Sequence, residues 1–158
     1  MDVDAFFKKV YTAAFRLTGE EESACNIAMN AIERTAKIIN IHKKVPSNML
    51  KFTIKEVCKI FLEEHHVKTS DEVEYTLYTL EETKNELNEL QEAILTLEPI
   101  KRVTIIWRDI LGFKLSEIIP SVNRTEKELY QELLSAHKQL KEKIYMAGML
   151  NWKFNVVN

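Results

Sequence analysis

Apolar residues recur at three- and four-residue spacing along most of the chain, the period that places them on one face of an α-helix. Phe6, Phe7, Val10, Tyr11, Ala14 and Phe15 predict a first helix from about Asp2 to Leu17, with Asp2 and Asp4 at its positive end and Thr18-Gly19 closing it. The acidic run Glu20 to Glu22 opens a second helix that continues to about Asn40. One stripe on it runs through Ala24, Ile27, Ala28, Ala31 and Ile38, and another through Cys25, Met29, Ile32 and Ala36. So wide an apolar face predicts a helix sandwiched in a bundle core, with one side offered to a partner as the alternative. Ile41 to Val45 reads as a short basic loop, and Pro46 suits the first turn of a third helix through Met49, Leu50, Ile54, Val57, Cys58, Phe61 and Leu62.

From Val67 to about Leu80 the periodicity gives way to polar and acidic residues with interleaved aromatics, the pattern of a linker. Beyond it, a helix from near Glu81 runs through Leu87, Leu90, Ala93, Ile94 and Leu97 and stops at Glu98-Pro99. Pro99 starts another, with Val103, Ile106, Trp107 and Ile110 on its apolar side and Gly112 as its C-terminal cap. Leu115, Ile118 and Ile119 mark a very short helix ending near Pro120. After the polar turn Ser121 to Thr125, a long helix extends to about Ala147, with Thr125 and Glu128 spaced as a capping box. Helix, tight turn, helix is the DNA-binding helix-turn-helix pattern. The chain therefore reads as all-α: two small helical domains, residues 1–66 and 81–147, an acidic linker at 67–80, and a tail at 148–158 expected to pack on its own protein.

Composition adds limits. Of the 158 residues 46% are hydrophobic, enough for a core, and three Gly and three Pro leave few turn signals. The N-terminus lacks the basic start and apolar run of a secretion signal, and no stretch approaches a membrane span, so a cytoplasmic protein with no membrane contact is expected. The net charge of −2 conceals three blocks. Residues 1–62 carry ten Lys or Arg against seven Asp or Glu, a net +3; residues 63–98 carry two against eleven, −9; residues 99–158 carry ten against six, +4. Cys25 and Cys58 each fall inside an apolar helical pattern without metal-ligand spacing, which predicts two buried free thiols. His65 and His66 fit a helix end, where positive charge suits the last carbonyls. No nucleophile, base and orienting group stand together, so neither an enzyme nor a cofactor or metal is expected.

Two stretches are specific enough to suggest a family. Phe15-Arg16-Leu17-Thr18-Gly19 followed by Glu20-Glu21-Glu22-Ser23-Ala24 is similar to the "YRLTG, acidic run, Asp-Ala" stretch in the second conserved region of bacterial sigma factors. Leu97-Glu98-Pro99, Lys101-Arg102-Val103, Arg108-Asp109-Ile110, Gly112 and Glu117-Ile118 resemble the fourth region's "LPP..R.v..LRd..G.s..EIA". The two occur in the family's order and cover roughly residues 4–66 and 87–144, so the chain resembles a divergent extracytoplasmic-function sigma factor of the sigma-70 family.

The resemblance implies a first domain that grips core RNA polymerase through the second helix, at Asn26, Met29, Asn30, Glu33 and Arg34. It implies a promoter-opening loop with His42, Lys43, Lys44 and Phe52 as candidates. The last helix would hold duplex promoter DNA with Arg124, Thr125, Lys127, Tyr130, Gln131, Ser135 and Lys138, and an anti-sigma factor is a further partner. The sequence departs from the family where an Asp and a Gln-Glu pair are replaced by Asn26, Met29 and Asn30, and where Glu126, Glu128 and Glu132 enter the recognition helix. The alternative is a sigma mimic that binds an anti-sigma factor or polymerase with little or no DNA binding. A continuous basic stripe on the last helix separates the two readings. The linker's charge suits a segment lying in a nucleic-acid path, and equally a solvated linker.

Overall fold

The computed structural model describes residues 2–42, 48–65 and 86–146, all in helices and short turns. The basic loop at Lys43 and Lys44, the linker at 67–80 and the tail at 148–158 lie outside the described residues. Helix α1 spans Val3–Thr18, α2 Glu21–His42 and α3 Met49–His65. Helix α4 spans Glu86–Leu95, and α5 spans Pro99–Thr104 and runs on as a π-helical segment, Ile105–Ile110. A 3₁₀ turn at Leu115–Glu117 leads into the short α6, Ile119–Val122, and the long α7, Glu126–Met146. None of the described helices is long and apolar enough to cross a membrane.

Local chemistry accounts for the helix ends. The Asp2 carboxylate accepts the Ala5 N–H at 2.7 Å, and Gly19, at φ +70°, donates back to Phe15 O at 2.7 Å; a glycine takes this left-handed conformation without steric cost. At α7 the Thr125 hydroxyl accepts the Glu128 N–H at 3.1 Å while Glu128 accepts the Thr125 N–H at 3.2 Å, closing the capping box. Pro120 lies in the first turn of α6 rather than at a helix end, because proline's missing N–H is harmless there; the reversal falls instead at Asn123, φ +54°.

Helices α1, α2 and α3 pack against one another around Val10, Ala14, Leu17, Ile27, Ala31 and Phe61. The Thr35 and Thr53 hydroxyls meet at 3.1 Å between α2 and α3, each also bonded to the carbonyl four residues before it. Of the two stripes on α2, the first is buried from Ala24 to Ala31 and half-buried at Ile38, whereas in the second Cys25 and Ala36 are exposed, Met29 is 52% exposed and only Ile32 is half-buried. The expectation of two buried thiols is therefore corrected: Cys58 is buried and Cys25 is not, because α1 and α3 together cover only one side of α2.

The central element is α5 with its π segment. Seven consecutive residues, Lys101 to Trp107, are buried, where the sequence pattern predicts a one-sided helix. The π segment adds a residue to the turn, seen in the Leu111 N–H bonding Ile106 O at 2.9 Å, five residues back. Trp107 is fully buried and its Nε1 donates to Lys114 O at 2.7 Å. The polar members of this run are satisfied: Arg102 donates to the carbonyls of Leu97, Leu95 and Leu17 at 2.9, 2.8 and 2.9 Å, and Thr104 to Lys101 O at 2.9 Å. Leu17 closes α1, while Leu95 and Leu97 close α4, so one buried guanidinium caps two helix C-termini where partial negative charge collects. Burial lowers its pKa to about 10, which still leaves it charged at neutral pH. Arg102 thereby ties the N-terminal helices to the C-terminal ones, and the apolar core is continuous across both.

Candidate polymerase-binding and nucleic-acid surfaces

The first surface is the outward side of α2. Asn26, Met29, Asn30 and Glu33 are exposed and recur at three- and four-residue spacing, which puts them on one face. Arg34 turns from this face toward α3, where its guanidinium lies 3.7 Å from Glu56 and 3.6 Å from Glu63. Beside Met29, an apolar groove of about 680 Å³ opens between the starts of α1 and α3, lined by Val3, Phe6, Phe7, Ile32 and Leu50 among others. Met29, Val3 and Phe7 are three of the large exposed apolar side chains among the described residues.

The second surface is the helix-turn-helix. Its long helix, α7, buries Leu129, Leu133, Ala136 and Leu140 and exposes Lys127, Tyr130, Gln131, Leu134 and Lys138. Thr125 is committed to the capping box, and Ser135, half-buried, accepts from Gln139 Nε2 at 3.3 Å. Arg124 is drawn toward Glu132 at 3.7 Å. Glu132 also lies 3.3 Å from the buried Lys101 ammonium, so this carboxylate is held between two cations instead of projecting from the helix alone.

Two further groups shape this end of the molecule. Asp109, its side chain 1% exposed, bonds His137 Nε2 at 2.6 Å and Arg108 at 3.1 Å, fixing the π segment to α7. Arg108, Lys114, Leu115, Ser116, Lys127 and Tyr130, with Glu126, line a cleft of about 600 Å³ at the N-terminal end of α7. Arg108 is one of the residues that carry the sequence resemblance, whereas Lys114 and Ser116 lie within the same stretch without carrying it; no local pattern links them to Lys127, and the turn alone assembles the group.

Of the candidate promoter-opening residues, Lys43 and Lys44 lie outside the described residues, as does the side chain of His42, the last residue of α2. Phe52 is half-buried in the first turn of α3. Its neighbour Lys51 donates to Glu117 at 2.7 Å and lies 5.0 Å from the ring centroid of Phe113. That contact holds the Glu117 carboxyl below the ordinary carboxylate range. The start of α3 thus backs directly onto the helix-turn-helix. Compared with known proteins, the sequence matches no family model and no curated protein.

Proposed function

We propose that the chain acts as a sigma-like transcription initiation factor, binding core RNA polymerase through the α2 face and duplex promoter DNA through α7. The observation that carries this reading is the coexistence in one chain of an exposed α2 face, centred on Met29, and a helix-turn-helix whose recognition helix presents Lys127, Gln131 and Lys138 outward. Gln131 has the donor and acceptor geometry for an adenine edge, and Lys127 and Lys138 the charge for phosphates. On the α2 face, where Asn26 and Asn30 replace the family's carboxylates, Met29 offers a flexible apolar contact in place of an amide. The chain acts by binding alone, without an enzymatic step.

One set of observations favours a second reading, a sigma mimic that contacts protein. Lys127 and Lys138 are about 16 Å apart along α7 at 1.5 Å per residue, and between them the surface presents Tyr130, 51% exposed, and Leu134, 55% exposed. That is not a continuous basic stripe, and exposed apolar side chains of this kind suit a protein partner.

The deciding experiment is retention of the full chain on purified core RNA polymerase, followed by promoter binding of the complex. Retention and salt-sensitive DNA binding are expected. Retention without DNA binding would favour the mimic, and no retention would refute polymerase binding altogether. Met29→Glu, an exposed substitution that leaves the core intact, is expected to weaken retention at least tenfold.

A further inference from the structure

The geometry points to the cleft between the π segment, the 3₁₀ turn and the start of α7 as the site that holds the phosphodiester backbone of duplex DNA, through Arg108, Lys114 and Lys127. This rests on the DNA-binding reading above and groups Lys127 with Arg108 and Lys114, rather than with the other candidate cations of that reading, Arg124 and Lys138. Arg124 is engaged with Glu132, and any phosphate it met would have to compete with that carboxylate. Lys138 lies three turns along α7 from the helix start, with no second cation described beside it on the outer face except Lys141.

The cleft has what those positions lack. Three cations from three different elements line it against the single carboxylate of Glu126. Arg108 donates through Nη1 to the buried Asp109 at 3.1 Å, and its partly exposed guanidinium carries further donors for a phosphate. Asp109 offsets part of that charge, but it is itself shared with His137. Lys114 and Lys127 are both exposed. The cleft also receives the N-terminus of a 21-residue helix, whose dipole favours an anion. The Ser116 hydroxyl and the half-exposed Tyr130 supply neutral donors of the kind that position a duplex. The cleft, about 600 Å³, opens at the foot of α7, beside the helix that presents Gln131 to a base edge, so a backbone flanking that base passes close to it.

The test is binding of the full chain to a short duplex of arbitrary sequence, by fluorescence anisotropy between about 50 and 200 mM salt. Lys114→Ala/Lys127→Ala is expected to lower affinity at least tenfold on every sequence, and to reduce the slope of log K against log salt by about 1.8, at about 0.9 per phosphate released. Arg108→Gln should add a further loss. Arg124→Ala should stay within about twofold of the parent, since Arg124 does not line the cleft. Both lysines are exposed, so an unchanged circular dichroism spectrum is expected for the double variant. Parent binding with the double variant unaltered in affinity and slope would overturn the cleft as the phosphate site and leave the DNA reading standing. No binding by the parent even at the lowest salt would overturn both.

Discussion

Arg102 carries a full charge at the centre of the protein, 5% exposed, and stays there because three backbone carbonyls and the Phe61 ring face, 5.8 Å away, replace its water. Arg102→Met fills a similar volume but leaves the carbonyls of Leu17, Leu95 and Leu97 buried without donors, at about 1–3 kcal/mol for each orphaned group that water does not reach. A loss of at least about 3 kcal/mol is expected in urea unfolding, and a change below about 1 kcal/mol would show that the guanidinium is replaceable. The two thiols provide a second test at this scale. Burial pushes Cys58 up to about 12, whereas Cys25 is exposed, so a disulfide reagent should titrate one thiol in the native protein and two after denaturation. The sequence gives both cysteines the same apolar helical setting; it is the placement of α1 and α3 around α2 that separates them.

At the scale of the elements, caps and turns were legible because their chemistry is local. Asp2, Gly19, Thr125 and Glu128 each act on groups within four residues, and all serve the helix ends that their spacing predicts. Thr125→Ala is expected to cost about 1 kcal/mol by removing the α7 cap, a loss to be read from the denaturation midpoint. Gly112 caps the π segment at φ +75°, and a Cβ there would meet nothing within 4 Å. Gly112→Ala should therefore cost about 1 kcal/mol through backbone strain alone, with no change in the near-ultraviolet spectrum of the buried Trp107. The π segment was not legible. A period-3.6 pattern marks Val103, Ile106, Trp107 and Ile110 as one stripe, but an element surrounded by α1, α3 and α7 can bury consecutive residues, and Lys101 and Arg102 join them because their partners lie on other helices.

For the whole molecule, the continuous core and the Arg102 and Gln91 bonds to the end of α1 couple the N- and C-terminal helices. A single cooperative urea transition is expected from both far-ultraviolet circular dichroism and tryptophan fluorescence, and two separated transitions would show that the halves unfold independently. The Lys51–Glu117 pair adds a pH dependence to this coupling. Because Glu117 titrates below its ordinary value of 4.5 when folded, its contribution is present above that value and is lost as pH falls through the folded pKa. Thermal unfolding temperature should thus drop on acidification through the carboxylate range, and Lys51→Ala should flatten the part of that drop due to Glu117. Glu128, held low by its bonds to Thr125, contributes with the same sign and is unaffected by the Lys51 change.

By itself the sequence determined the all-helical class, the extents of most of the described helices, and their caps. Each of these depends on residues a few positions apart, and hydrophobic period and side-chain-to-backbone bonding encode such neighbours directly. Tertiary structure alone decided which stripe of α2 is covered, that Arg102 reaches Leu17 from 85 positions away, and that Glu132 is answered by Lys101 and Arg124. It also decided that Arg108, Lys114 and Lys127 share one cleft. A charge in a sequence has a sign but no partner, and only the packing of distant helices settles whether it is spent inside the protein or left for a ligand.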